Sequence, residues 1–571
     1  MKKLFEYIKP YIGLILSALF IKLLASMMEL VIPSILKKII DDIVPQGNIK
    51  SIYLWGGIMI FCALASLLAN VISNRISATS SGYVTLKLRH DVFEKISSFS
   101  AEQTDKFTIS SLVSRLTSDT YNVNQMLLRL QRIGVRGPIL LIGGILITLT
   151  IDPVLTTVLL ATLPLIVLVV YFVTKISIPI YTRTQSMLDS LVRVVQENIT
   201  GVRIIKALSK TDYERRRFER VNTELSDVEK KASIVMQITS PTTTVIMNLG
   251  LCFVVLAGAY RVNSGLVQPG TIIAFQSYFT IIMQAMMGIT RIFILYSKGA
   301  ASANRLAEVL DSQEGLRLEK DNTTASQYHI EFEKVSFSYN KIENNLTDIS
   351  FALRKGDTLG IIGATGSGKS TIINLLIRFY DPDSGIIRIM GRDIRSIPRD
   401  ELCAKLGIVF QNDFLMQDTI RENIDYGRSL TDEEIHTAAD NAMALEFIDA
   451  LPERMEHLLT VRGSNLSGGQ KQRLLIARAL AAKPEILILD DSSSALDYKT
   501  DSELRRNLHS NFRDTTTIIV AQRISSIMHS QHILVMDDGQ ALAYGTHQEL
   551  MDTCSVYRQI AQSQMGGSYY A

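Results

Sequence analysis

Six long apolar passages fill the first half of the chain, at about residues 12–36, 52–76, 133–151, 154–175, 241–261 and 271–296. A window of about twenty apolar residues crosses a hydrocarbon layer of about 30 Å as a helix, and in lipid every backbone polar group has to be satisfied within the segment. The second half shows only short strand-like and amphipathic runs. With 571 residues, 47% of them hydrophobic, more than one domain is expected. The reading is an α-helical transmembrane domain of six spans over residues 1–311, a polar linker over 312–327 and an α/β soluble domain over 328–571.

The connections are of two sorts. Those around Pro45–Lys50, Asp152-Pro153 and Arg261–Pro269 are short, whereas Arg75–Arg136 and Lys175–Lys231 are long, basic and almost free of proline. Basic loops stay on the cytoplasmic side, so both termini and the soluble domain are expected there, at the cell membrane. The long segments read as helices that prolong the spans into the cytosol, with turns near Gln103–Ser111 and Gly201–Ser209 reaching toward the soluble domain. Met1–Pro10 reads as a basic amphipathic segment on the membrane surface. Arg215-Arg216-Arg217 is expected on a solvated face balanced by Asp212, Glu214 and Glu219.

Lys22 and Glu29 lie two helical turns apart in the first span, on one face, and either line an aqueous path or find partners on neighbouring helices. In the last span, Gln276, Met283, Gln284, Met286 and Met287 form either a pliant ligand-facing surface or ordinary packing. A formal charge of +3 gives no reason to expect nucleic acid as a partner, and Cys62, Cys252, Cys403 and Cys554 lack ligand-like spacing.

The soluble half carries the chemistry. After the apolar strand Thr358–Ile362 comes Gly363-Ala364-Thr365-Gly366-Ser367-Gly368-Lys369-Ser370-Thr371 and then a helical run. The glycines let backbone amides curl around phosphate oxygens. The helix start adds its dipole, Lys369 neutralises outer phosphates, and Ser370 is suited to magnesium. Ile486–Leu489 reads as a strand buried on both faces, ending in Asp490 as a magnesium contact and Asp491 as the place for a base. Gln411 ends another strand and is suited to magnesium or water, and Tyr339 is placed to stack on adenine. Ser467-Gly468-Gly469-Gln470 opens a helix and offers a second phosphate grip. If the second grip faces away from the first within one domain, it serves a nucleotide held by another domain, and the working unit is a dimer with ATP between its halves.

Together these motifs resemble the nucleotide-binding domain of the ATP-binding cassette superfamily, with Leu466–Gln470 matching its signature motif. Six spans followed by one cassette resemble a half-transporter of the exporter type, especially one subunit of a bacterial heterodimeric multidrug exporter. The resemblance implies ATP and magnesium as ligands and two ATP molecules sandwiched head to tail between cassettes. It also implies cytoplasmic turns that act as coupling helices. The sequence departs from the family pattern at three places. Asp491 stands where a catalytic glutamate is usual, Gln522 replaces the switch histidine, and Val461 replaces a glutamate before the signature. The shorter Asp491 side chain retracts its carboxylate by about 1.5 Å, and the Gln522 amide cannot become a cation.

The expectation is therefore a heterodimer in which this chain holds ATP at a weak site and lends its signature to the partner's site. The cargo would be amphipathic small molecules exported by ATP hydrolysis. Alternatives are lipid or peptide export, or a nucleotide-gated channel or sensor.

Overall fold

The structure is a computed structural model that describes residues 1–313, 315–320, 327–411, 414–492 and 495–565. It forms two compact units. The first comprises Met1–Ser97 and Ser110–Ser312, the second Ser98–Ile109 and Gln313–Ala571. Much of the expected linker, residues 314 and 321–326, lies outside the described residues. The principal helices of the first half are α1 (Ile12–Lys38), α2 (Ile49–Ser97), α3 (Ala101–Phe107), α4 (Thr120–Ile151), α5 (Pro153–Thr200), α6 (Val202–Ala207), α7 (Thr211–Asn263) and α8 (Pro269–Leu310).

In the first unit, six helices of the described residues are long and apolar enough to cross a membrane. Helices α2, α5 and α7 contain 49, 48 and 53 residues. At about 1.5 Å per residue they far exceed a hydrocarbon core of about 30 Å, so they extend well beyond it. The Asp152-Pro153 connection is short for a local reason. Asp152 Oδ1 accepts from the amides of Val154 and Leu155 at 2.8 and 3.0 Å, Pro153 occupies the first helical position, and Asp152 Oδ2 pairs with Arg261 at 2.8 Å.

Helices α1, α2, α4 and α8 pack as a bundle, and α5 packs along α7. Small residues allow the close approaches: a side chain on Gly144 would meet Ile282, and one on Gly250 would meet Thr162 and Phe279. Met283 and Met286 are buried with Phe275, Tyr278 and Phe279, so that part of α8 is packing. Gln276, Gln284 and Met287 are exposed.

Lys22 and Glu29 of α1 both have neighbours. Lys22 Nζ donates to Asn70 Oδ1 at 2.7 Å and Asn74 Oδ1 at 3.1 Å, while Arg136 Nη2 donates to Glu29 Oε1 at 2.7 Å. Arg215 pairs with Asp212 at 3.3 Å, and Arg217 reaches Glu214 at 3.4 Å and also Glu197 on α5 at 2.6 Å. Exposed pairs of this kind contribute little stability.

The second unit contains β1 (Ile330–Phe337), β2 (Leu346–Leu353), β3 (Thr358–Gly363), β4 (Ser384–Ile389), β5 (Arg392–Asp393), β6 (Leu406–Val409), β7 (Ile486–Asp490), β8 (Thr516–Val520), β9 (His532–Asp537) and β10 (Gln540–Gly545). Strands β2-β1-β4-β5 make an antiparallel sheet. The second sheet runs β10-β9-β3-β8-β7-β6, parallel except for β10. Strand β7 is interior, and Ile486, Leu487 and Ile488 are fully buried, as its unbroken apolar run requires. Helices α9 (Lys369–Leu376) and α10 (Gly468–Ala481) follow the two candidate phosphate grips.

The turn carrying α3 belongs to this second unit. Ser100 caps α3 in a reciprocal pair with Gln103, whose side-chain amide donates to the Gln313 carbonyl at 2.6 Å. The Tyr380 hydroxyl donates to Asp105. Helix α6 is part of the first unit, and its Ile204 is largely exposed.

Candidate functional site

Because β3, β8, β7 and β6 are parallel, their C-terminal ends share one edge, where ligands of open α/β sheets bind. The chain emerging from β3 forms the phosphate loop. Gly366 and Gly368 have φ of +87° and +96°, conformations that side chains rarely adopt, so the loop turns its amides inward. Lys369 Nζ donates to the carbonyls of Gly363 and Ala364 at 2.9 and 2.6 Å, which holds the ammonium over the loop. Burial lowers its pKa, against the pull of Asp490 and Asp491.

A cavity of about 480 Å³ lies at this edge. Its wall includes Thr365, Gly366, Gly368, Lys369, Ser370 and Thr371 from the loop and the start of α9. Gln411, Asp490, Asp491 and Gln522 join them from the ends of β6, β7 and β8. Residues 120 positions apart thus meet: Ser370 Oγ donates to Asp490 Oδ2 at 3.3 Å. A hydroxyl, a carboxylate and an amide oxygen are the hard donors that magnesium takes, and the amide-lined loop beside a lysine suits polyphosphate. The residues therefore fit both ligands. Burial raises the Asp490 carboxyl above the ordinary carboxylate range, countered by the Ser370 hydrogen bond, and Asp491 adds to the rise.

Asp491 follows β7 with φ of +48°, a left-handed conformation that aspartate tolerates better than most residues. Its amide donates to the Val520 carbonyl at 2.9 Å, and its Oδ2 accepts from Gln522 Nε2 at 3.0 Å. Burial raises its pKa, opposed by the positive charges of Arg523 and Lys369 and by the Gln522 hydrogen bond.

The remaining expected residues lie elsewhere. Gly363 ends β3 and Ser367 is a buried loop residue, and neither lines the cavity. Tyr339 is 44% exposed, edge-on to Phe337 and Tyr380, and its hydroxyl accepts from Asn374 Nδ2 at 2.9 Å. It braces α9 and does not line the cavity. Ser467 caps α10, and the Ser467 amide donates to the Gln470 side-chain oxygen at 2.8 Å; Ser467, Gly468, Gly469 and Gln470 also stand outside this cavity. Gln472, one turn further, accepts from the Ala495 amide at 3.0 Å and donates to the Asp491 carbonyl at 3.4 Å, tying the α10 start to the end of β7.

Sequence reasoning missed one wall of the cavity: Asn344, Asn345, Asp538 and Gly539. The Gly539 amide donates to the Ser367 carbonyl at 3.3 Å, so the β9–β10 turn braces the phosphate loop. The Asp538-Gly539 dipeptide is a hairpin signal that marks the turn, though not its neighbour.

Comparisons with known proteins agree with this arrangement. Residues 14–286 match the ABC transporter transmembrane region, and residues 346–494 match the ABC transporter family. The chain is 35% identical to the ABC transporter ATP-binding protein YfiB of Bacillus subtilis (strain 168), covering 99% of both. It is 31% identical to MT1311 of Mycobacterium tuberculosis (strain CDC 1551 / Oshkosh), covering 98% of this chain and 97% of that one. The fold is that of a bacterial Atm1-family ABC exporter solved with ATP bound, at a TM-score of 0.83 and 24% identity, covering 98% of this chain and 99% of the other. The chain belongs to the ABC transporter family, as a multi-pass membrane half-transporter with its ATPase domain fused behind the membrane domain on the cytoplasmic side.

Proposed function

We propose that this chain is one subunit of an exporter that moves amphipathic small molecules out of the cytoplasm, paired with a second, different half-transporter. The observation that carries the pairing is the Asp491–Gln522 hydrogen bond at the nucleotide cavity, 3.0 Å long. Both residues stand where ATP hydrolysis needs a reaching base and a switchable cation. The Gln522 amide instead occupies one Asp491 oxygen and stays neutral at every physiological pH. In this reading Lys369 and the loop amides bind ATP phosphates, and Ser370, Asp490 and Gln411 hold magnesium. Bound magnesium would neutralise charge on the phosphate oxygens. Water activation is weak here, so this site binds ATP and turns it over slowly.

The signature grip supports the other half of the proposal. Ser467 and Gly468 are exposed, and Ser467–Gln470 do not line this chain's own phosphate cavity. An exposed helix start whose Gly468 and Gly469 carry no side chain, with no phosphate site of its own, suits a nucleotide held by a partner cassette. The test is steady-state ATPase of the chain purified alone and with its partner. Low turnover alone and high turnover together is expected; substantial turnover by the chain alone, abolished by Lys369→Ala, overturns the unequal-site reading.

A further inference from the structure

The membrane unit contains a cavity of about 380 Å³ enclosed by α1, α2, α4 and α8. Its wall has two characters. One part carries Lys22, Arg129, Arg132 and Arg136, and Glu29 is the single carboxylate among the lining residues. Arg129, Arg132 and Arg136 are spaced by three and four positions and so share one face of α4. The rest is apolar or small, with Gly137 and Leu140 further along α4 and Ile281 and Ala285 on α8.

The charges do not cancel locally. Glu29 is engaged by Arg136 through both Nε and Nη2, at 3.2 and 2.7 Å. Lys22 is only 3% exposed and is held by two neutral amide oxygens, those of Asn70 and Asn74. Arg132 donates Nη2 to the Asn74 carbonyl at 3.0 Å, while its Nε is buried without a hydrogen-bond partner. Among the described residues no carboxylate pairs with Lys22, Arg129 or Arg132. Cations in a membrane helix that face a cavity and lack counter-ions mark a ligand path, because a bound anion supplies the charge partner that neutral amide and carbonyl oxygens do not.

We propose that this cavity binds an amphipathic anion. A sulfate, phosphate or carboxylate head lies among Lys22, Arg129 and Arg132, and an apolar body lies against Leu140, Ile281 and Ala285. Planar guanidinium groups suit such heads through paired N–H donors. That the bound anion is cargo rests on the exporter reading above. The same chemistry is offered by an anionic lipid headgroup and by a free amphipath, and the experiment separates them.

The probes are radiolabelled decyl sulfate and decyltrimethylammonium, which share a tail and differ in the sign of the head. Saturable binding is measured on the full-length transporter in phosphatidylcholine nanodiscs, with lipid-only discs subtracted. Decyl sulfate is expected to bind and decyltrimethylammonium not to. Arg129→Gln and Arg132→Gln should each weaken binding by at least about tenfold, and Arg129→Lys, which keeps the charge and loses the paired donors, should restore part of it. Arg129 is exposed, so its substitution leaves folding intact, which retained ATP binding verifies. Equal binding of both probes, or affinity unchanged in both glutamine variants, overturns the site. Competition by added phosphatidylglycerol assigns the site to a lipid head; undiminished binding assigns it to a solute, and either supports an anion site. ATP-dependent accumulation in inside-out vesicles is read separately. Binding without accumulation removes the export reading and keeps the site, whereas accumulation of other compounds without decyl sulfate binding does the reverse.

Discussion

Gln522 Nε2 donates to Asp491 Oδ2 across 3.0 Å, and the two residues follow adjacent parallel strands whose register pairs Asp490 with Val520. The amide thus shares the oxygen that a catalytic carboxylate would offer to water. The same residues also close a second link, since the Asp491 carbonyl accepts from Gln472 at the start of the signature helix. The backbone of Asp491 thus joins the nucleotide cavity to the first turns of α10.

Restoring the reach of the carboxylate should raise turnover. Asp491→Glu with Gln522→His in the chain purified alone is expected to increase steady-state ATPase by about tenfold or more, since a positioned base contributes on the order of 100-fold or more. Asp491→Glu alone gives a smaller rise, because Gln522 remains a hydrogen-bond competitor. No gain in the double variant, with ATP binding intact, would show that these residues do not limit hydrolysis.

Loop and signature substitutions should separate two sites. Lys369→Ala is expected to abolish ATP binding at this chain's loop, measured by photolabelling of this chain, while the partnered transporter keeps partial turnover. Gly468→Asp places a carboxylate at the start of α10, where phosphate would approach, and should stop most turnover with labelling of this chain unchanged. Similar effects of both substitutions on labelling would contradict the division of roles.

Local pattern made much of this legible in the sequence. The continuous apolar run of β7 and the glycine-rich turn before α9 are set by neighbours in the chain, and both stand where the sequence places them. The Glu29–Arg136 pair was not legible, because its partners are 107 residues apart on different helices. Periodicity placed Glu29 on a face but could not say which helix faces it. Tyr339 shows a different limit. It is 44% exposed, as stacking on adenine requires, whereas its contacts with Tyr380 and Asn374 join residues 41 and 35 positions away that a local pattern does not reveal.

Two glycines of the phosphate loop should respond differently to alanine. A Cβ on Gly363 would lie 2.2 Å from the Met536 carbonyl oxygen and 2.6 Å from Ser367 Oγ, so the loop or β9 has to shift. Gly363→Ala is expected to cost on the order of 1–3 kcal/mol and to weaken ATP binding, as with other overpacked sites. Gly366 has open space around its Cβ but φ of +87°, so Gly366→Ala carries only backbone strain, about 1–2 kcal/mol. Nucleotide-protected thermal melting of the full-length chain compares the two. Unaltered ATP protection in Gly363→Ala would refute the close-packing account.

His329 gives the second unit a defined acid sensitivity. Its ring is buried, Nδ1 lies 2.7 Å from Thr516 Oγ1, and Nε2 has no hydrogen-bond partner. Burial holds its pKa below the ordinary value of 6.5, with the nearby Glu485 opposing and Lys355 and Lys405 assisting. A depressed histidine binds its proton more readily when unfolded. The stabilisation is therefore complete above about pH 6.5 and is lost as pH falls from there toward the folded pKa. Hydrogen exchange of the β1 and β8 amides in the full-length chain should accelerate between pH 7.5 and 5.5, after correction for intrinsic rates. His329→Gln, which keeps a polar contact to Thr516 but cannot titrate, should show a flatter profile. An equally steep profile in that variant would place the acid sensitivity in another group.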